Sequence, residues 1–426
     1  MKARTRTTLG IFVTCLLVYH ATGRAQGEAD TVAAPYTAFS MVRHGSLDLR
    51  YYPLLRPHLG RVIRELADGS WISERPPGSA LMAVPFMAPF AALGEQPPTD
   101  IRMDHLGKLA GACSVAAAAV LMFVICLRLV PSAAWPVTVL FAFGTCMCSV
   151  ASQALWMHGP ATLWLCCALY FLSRANGYVP SCRVAAGLAL GLAVLTRPTV
   201  GLFALATAGA LVAERRWRGL LWLVLGGAVP AGMLCLLNWV YFGDVVRGAY
   251  ATDNWSHSPP LWLGLSGLLV APSRGVLVYS PALLLVLPGT IRLIRERDDA
   301  WGGLRGVLVA WAIAAGATVV FYARWHDWRG GYCYGPRFLC ETMPVLCLLF
   351  GIGYAGLRFG WQRRIAVGLV ALSVAVHLLG IFGHSGHSDW NMRHDLSDDG
   401  RCLFAVEDTQ IEAHARAMAR KLTLSR

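Results

Sequence analysis

Residues 105–127 read HLGKLAGACSVAAAAVLMFVICL. As an α-helix this stretch would be about 34 Å long at 1.5 Å per residue, enough to cross a hydrocarbon layer of about 30 Å. Its one lysine, Lys108, stands near one end, and nothing in it alternates as a half-buried strand would. Comparable apolar runs recur from one end of the chain to the other. Hydrophobic residues make up 56% of the 426 and charged residues 14%, against a usual charged share of roughly 25%. A soluble core has no use for so many such runs. The sequence specifies an all-α polytopic membrane protein.

Working outward from that segment, spans are expected near 8–23, 133–152, 159–174, 183–196, 198–213, 219–242, 276–292, 305–322, 337–357 and 363–383, giving about eleven with 105–127. Arg128, Arg174/Arg183, Arg215–Arg218, Arg292–Arg305 and Arg358–Arg364 then fall on one side, which the positive-inside rule makes cytoplasmic. The first helix runs outward from Lys2, Arg4 and Arg6. Small residues at 21–27 imitate a signal-peptide cleavage region, but a basic start equally suits a retained anchor, which is the expectation here. Residues 24–104 form the first extracytoplasmic loop, with short amphipathic helices expected at about 32–44 and 56–68. A Pro-broken apolar piece at 79–93 is expected to be re-entrant or to lie on the surface, because a crossing there would invert every later loop. The transmembrane domain thus covers 1–383, and 384–426 is a polar C-terminal tail in which Asp408 is expected to cap a final helix through Ala413–Arg420.

The net charge of +13 is scattered in short clusters between apolar segments, with no continuous basic face, so nucleic acid is not an expected partner. Most of the thirteen cysteines lie inside apolar runs, where a thiol behaves as a small hydrophobe; only Cys333, Cys340 and Cys402 fall in or near polar connections, and Cys333 with Cys402 is a candidate bridge that spacing alone does not establish. His384, His387, Asp389, His394 and Asp395 offer metal-ligand types after the last span, but their spacing matches no strong pattern. A transporter would place paired ionisable residues within the spans. The expected spans are nearly free of them, Arg197 beside Pro198 at a helix junction being the main exception, and no internal repeat is evident.

The outward face collects the chemistry. It holds Glu28 and Asp30, Ser73–Gly78, Trp156–Pro160, Asn254–His257, Ala271–Pro281 and Ala323–Arg337. Singly, each has a plain reading: Trp and Tyr anchor helix ends at interfaces, Gly and Pro punctuate turns, and arginines snorkel to headgroups. Together they are short of paired acids and rich in arginine. A glycoside hydrolase needs two carboxylates flanking the bond. Transfer from a lipid-phosphate sugar needs one carboxylate to take the acceptor's proton and cations to hold the departing phosphate.

Four stretches, EADTVAAPYTAFSMVRHGSLDLR (28–50), ERPPGSALMAVPF (74–86), ALWMHGPATLWL (154–165) and WHDWRGGYCYGPRFL (325–339), carry a family resemblance, supported by LAVLTRPT (192–199) and SRGVLVYSP (273–281). In this order they make the chain resemble the C-type superfamily of multi-pass glycosyltransferases (GT-C), which includes protein O-mannosyltransferases and lipid A aminoarabinose transferases. The resemblance covers most of residues 1–350. It implies a polyprenyl-phosphate-linked sugar as donor, a surface glycan, lipid or protein as acceptor, transfer with inversion and an acidic catalytic base in the first outer loop. Asp30 stands at the matching place and Glu28 is the alternative; where many relatives carry Gly-Asp, Glu-Ala-Asp here loosens the register. Arg337, Arg324 and Arg75 are expected at the donor phosphate, and His158, Trp156, His257, Trp325 and Tyr334 around the sugar or acceptor. Some relatives use a divalent metal, for which this sequence shows no convincing ligand set. The competing functions are a transporter or flippase and a non-catalytic envelope-assembly subunit. In a Gram-negative cell the location would be the inner membrane, with the active site facing outward.

Overall fold

The computed structural model describes residues 2–55, 62–93, 100–174, 179–246, 248, 258–296, 301, 303–384, 390–394 and 400–424. Among them are five helices long and apolar enough to cross a membrane: Arg102–Leu129, Trp217–Phe242, Arg305–Ala323, Arg337–Ala355 and Gly360–Phe382. Of the other expected spans, the first is the 19-residue helix Lys2–His20, and the rest appear as helices of 17 residues or fewer. The stretch 133–152 is divided into the helix Ala134–Phe143 and a π turn over Met147–Ala151. The stretch 276–292 breaks before Pro281, which cannot donate a helical hydrogen bond, and resumes as Val286–Arg295.

Lipid tails are as apolar as leucine, so helices in a bilayer associate through close packing rather than hydrophobic expulsion. The helices Pro180–Thr196 and Trp217–Phe242 do this through glycines. A Cβ on Gly187 would stand 1.9 Å from the Leu223 carbonyl oxygen, and one on Gly226 would stand 2.0 Å from that of Val184. The opposite face of Trp217–Phe242 exposes Leu225, Val229, Leu236, Trp239 and Val240, as a lipid-facing surface should. Gly226→Val is therefore expected to push the helix away at a cost of about 3 kcal/mol, the upper range for overpacking, read as a lowered unfolding midpoint in detergent.

The first helix, Lys2–His20, packs along Asp100–Leu129. Cys15 and Tyr19 are wholly buried, and the Tyr19 hydroxyl donates to the Ala142 carbonyl at 2.8 Å. The segment that follows is tied down from below. Lys108 donates to the Arg24 carbonyl and, at 3.1 Å, to Gln153 Oε1, while the Gln26 amide donates to the Gln153 carbonyl at 2.9 Å.

In the first loop the expected helix at 32–44 is present as Ala29–His44. The second one, at 56–68, is not: its described part turns into a hairpin, with Ile63–Glu65 antiparallel to Trp71–Ser73. Asp68-Gly69 is the reason. Gly69 takes φ +76°, Asp68 Oδ1 accepts from the Ser70 amide at 2.9 Å, and such a pair turns a strand back on itself. The piece 79–93 forms the helix Gly78–Ala92, which packs on Ala29–His44. Its 15 residues extend only about 22 Å.

Two expectations for the second half of the chain are corrected. The final helix, Gln410–Leu424, is capped by Thr409: its amide donates to Glu412 Oε2 at 3.0 Å and its Oγ1 accepts from the Glu412 amide at 3.2 Å, a reciprocal capping box. Asp408 pairs instead with Arg393, His394 and Arg416. All thirteen cysteines are thiols, so Cys333 and Cys402 form no bridge; the Cys333 thiol donates to the Gly330 carbonyl at 3.3 Å.

Candidate active site

Asp30 owes its place to a helix end. Glu28 is the N-cap of Ala29–His44; its amide donates to Thr31 Oγ1 at 3.1 Å, and its side chain is exposed. Asp30 falls in the first turn, where the aligned peptide dipoles favour a carboxylate. Tyr36, Phe39, Ala80, Ala83 and Met87 belong to one buried cluster, which fixes this helix against Gly78–Ala92. Arg75 lies between the hairpin and that second helix, its amide on Ser73 Oγ at 3.1 Å. Gly78 abuts Thr196 so closely that a Cβ would come within 2.3 Å of Thr196 Oγ1. The first loop is thereby seated on the transmembrane bundle.

From these supports Arg75 reaches Asp30 Oδ1 with Nε at 2.9 Å and Nη2 at 2.6 Å. Arg337 Nη1 approaches Asp30 Oδ2 from the other side at a loose 3.4 Å. Arg337 opens a short 3-10 segment, Arg337–Thr342, after the loop in which Gly330 and Gly331 take φ +80° and +63°, values natural to glycine alone. Its guanidinium sits 4.6 Å from the Trp156 ring centroid and 5.1 Å from that of Phe338, within cation–π range. Arg337 is 8% exposed, and its Nε is buried with no hydrogen-bond partner among the described residues. A guanidinium held this way has donor capacity left for an anion. Burial pushes the Asp30 carboxyl up, but Arg337 and Arg75 outweigh it and hold the group below the usual aspartate range.

Behind Arg337 lies a second set of charges whose pairing the sequence did not announce. Arg197 ends Pro180–Thr196 with an extended backbone, as a residue before proline prefers. Its Nε stands 3.1 Å from Glu341 Oε1. Its Nη1 donates to His158 Nε2 at 3.2 Å and its Nη2 to the Tyr322 hydroxyl at 2.6 Å. His158 Nδ1 in turn lies 2.7 Å from Glu341 Oε1. Arginine has only donors, so Nε2 accepts and the ring proton sits on Nδ1, facing the carboxylate. The Tyr322 and Phe338 rings stack at 4.5 Å and 7°, closing the network against the side chain next to Arg337.

The expected site residues thus divide. Asp30, Arg75, Arg337 and Trp156 meet. Glu28 is adjacent but points to the helix cap. His158 is buried, with its ring nitrogens engaged by Glu341 and Arg197. Arg324 is exposed and donates to the Pro259 carbonyl at 3.0 Å. Trp325 stacks on Phe321 at 6.3 Å, and the Tyr334 hydroxyl donates to the Val376 carbonyl at 2.8 Å. His257 lies outside the described residues. So do His387, Asp389 and Asp395, and among the described residues no three His, Cys, Asp or Glu side chains stand together as metal ligands would. Glu341 and Arg197 were missed as partners. One signal was available: Glu341 is the single carboxylate in the expected span 337–357, and such a residue needs a counter-charge.

Asp30 and Arg75 open onto a cavity with about 760 Å³ of empty space, its mouth included, walled on one side by Leu234, Leu237, Asn238 and Tyr241 of the Trp217–Phe242 helix. It joins an ionic floor to an apolar wall. The same overall architecture occurs in ArnT from Cupriavidus metallidurans, solved bound to undecaprenyl phosphate and in the apo state. Both match with a TM-score of 0.54 at 14% identity, over 99% of this chain and 75% or 76% of theirs. The archaeal oligosaccharyltransferase AglB from Archaeoglobus fulgidus, solved with an inhibitory peptide and a dolichol-phosphate, matches with a TM-score of 0.52 at 12% identity, over 96% of this chain and 56% of its own. No protein-family model and no curated protein sequence matches the chain. At these identities the architecture is what is shared: this polytopic, mainly helical chain has the same fold as those two membrane proteins.

Proposed function

We propose that the protein is a membrane glycosyltransferase that moves a sugar from a polyprenyl-phosphate donor to a hydroxyl of a glycan, lipid or protein acceptor at the outer face of the membrane. The observation that carries this reading is one carboxylate, Asp30, held between Arg75 and an Arg337 whose Nε is buried without a partner among the described residues. The chemistry divides between them. Asp30 accepts the acceptor's proton, the acceptor oxygen attacks the anomeric carbon, and the bond from that carbon to the phosphate oxygen breaks with its electron pair on the phosphate. Arg337 and Arg75 hold the departing anion. A single displacement inverts the anomeric centre.

A carboxylate already paired with two guanidiniums is a weak base. Donor binding removes that restraint: phosphate oxygens compete for Arg75 and Arg337, and as those bonds lengthen, burial is left to raise the basicity of Asp30. Base and donor are in this way coupled, with the base strongest when the donor is in place. The transporter alternative draws on the buried Arg197–Glu341 pair, yet that pair is closed by His158 and Tyr322 and does not line the cavity.

The test is transfer of labelled sugar from a panel of polyprenyl-phosphate sugars by purified protein, comparing Arg337→Ala with Arg324→Ala. Hydrogen bonds to charged groups are worth about 1.5–3 kcal/mol, so Arg337→Ala is expected to raise the donor KM about 10- to 100-fold. Arg324→Ala, at an exposed position away from Asp30, is expected to leave it unchanged. Equal losses in both variants would remove Arg337 from the donor site.

A further inference from the structure

The residues after the last long helix read as a detached polar tail, but the structure sends them back to the active-site loop. Gln410, at the start of the final helix, is fully buried. Its Oε1 accepts from Arg274 Nη1 at 2.6 Å, the Tyr279 hydroxyl at 2.9 Å and the Gly335 amide at 3.1 Å. Its Nε2 donates to the Cys333 carbonyl at 2.9 Å and to Asn391 Oδ1 at 3.0 Å. Asn391 adds a bond from Nδ2 to the same Cys333 carbonyl at 3.2 Å. Arg274 is 1% exposed. Besides Gln410 it donates to Asn391 Oδ1 at 2.9 Å and to the carbonyls of Arg329 at 2.9 Å and Gly331 at 3.0 Å.

These contacts converge on Arg329–Gly335, the segment that delivers Arg337. That segment contains three glycines in left-handed geometry, Gly330, Gly331 and Gly335, so its own backbone imposes little on its shape. Buried polar groups need partners, and here the chain's far end supplies them. Gly331 lies between the two cations: its carbonyl is on Arg274, and a Cβ built on it would stand 3.9 Å from Arg337 Nη2.

We infer that the C-terminal segment is a structural part of the active site, with Gln410 a positioning residue that fixes the Gly330–Gly335 loop and through it the guanidinium of Arg337. The assignment rests on the proposed role of Arg337 for its effect on transfer. Its effect on the loop can be read without any substrate, because the loop carries its own reporter. Cys333 is 6% exposed, its thiol donating to the carbonyls of Gly330 and Gly335.

The experiment measures maleimide labelling of Cys333 in the full-length protein by peptide mass mapping, wild type beside Gln410→Ala, together with the donor KM. Removing the hub is expected to speed labelling at least about tenfold, the equivalent of losing roughly one net buried hydrogen bond from the closed loop. It is also expected to raise the donor KM by a similar factor with kcat little changed. Combined with Arg337→Lys, the effect on KM should be less than additive, because both changes act on one guanidinium. If the alanine variant does not fold, Gln410→Glu keeps the accepting contacts, loses the donated ones and carries the same test with a smaller rise.

Unchanged Cys333 labelling would overturn the inference. So would faster labelling whose KM effect simply adds to that of Arg337→Lys. A wild-type protein that neither transfers sugar nor binds undecaprenyl phosphate would defeat the functional reading instead, and Cys333 would still report whether Gln410 holds the loop.

Discussion

Asp30→Asn is expected to lower sugar transfer about 10²- to 10⁴-fold, the range for loss of a general base, while the protein stays folded. The swap keeps the shape of the side chain and removes its ability to accept a proton. Glu28→Gln is the matching control, since Glu28 is exposed at the helix cap, and its transfer should stay at the wild-type level. Normal transfer in Asp30→Asn with loss in Glu28→Gln would move the base by two residues. The pH profile adds a sign. Burial raises the Asp30 carboxyl and the two arginines lower it further than burial raises it, so in the free protein it stays ionised to below the ordinary aspartate range, about pH 3.9. The acid limb of kcat/KM, which reports the free enzyme, should therefore lie below that value. The acid limb of kcat reports the donor-bound state, in which phosphate draws the arginines away, and should lie higher. For folding, the depressed value means that Asp30 contributes stability above its unfolded pKa, and this contribution is lost as pH falls through the folded one.

Glu341→Gln is expected to cost about 3–5 kcal/mol of stability, because breaking a buried pair strands the partner charge. Arg197 and Glu341 are 6% and 2% exposed, so little water reaches the guanidinium that is left. Replacing both residues, Arg197→Met with Glu341→Leu, should recover most of the loss, since a well-packed apolar pair often equals a buried ionic one. Unfolding midpoints in detergent check both. Transfer should not recover with stability. Trp156 is two residues from His158, Phe338 next to Arg337 stacks on Tyr322, and Glu341 lies in the 3-10 segment that Arg337 opens. Full transfer by the stable double variant would reduce the network to a fold element with no part in seating Arg337.

The amino-acid sequence alone determined that this is an all-α polytopic membrane protein, because bilayer thickness and backbone hydrogen bonding leave long apolar segments one solution. It also placed an acid in the polar stretch after the first helix and arginines at 75 and 337, since charge and order along the chain need no coordinates. Local turn chemistry was legible but outweighed: Asp68-Gly69 signalled a hairpin where apolar spacing had suggested a helix. What only the tertiary structure decided is which of the candidate residues meet. Arg75 and Arg337 close on Asp30 across 45 and 307 positions of sequence, while Arg324, only 13 residues before Arg337, points elsewhere. The pairing of Arg197 with Glu341 and the return of Gln410 to the Gly330–Gly335 loop were equally hidden. Each joins residues distant in the chain through hydrogen bonds that a linear pattern does not encode, and each exists because a buried polar group must find its partner wherever the packed helices bring one.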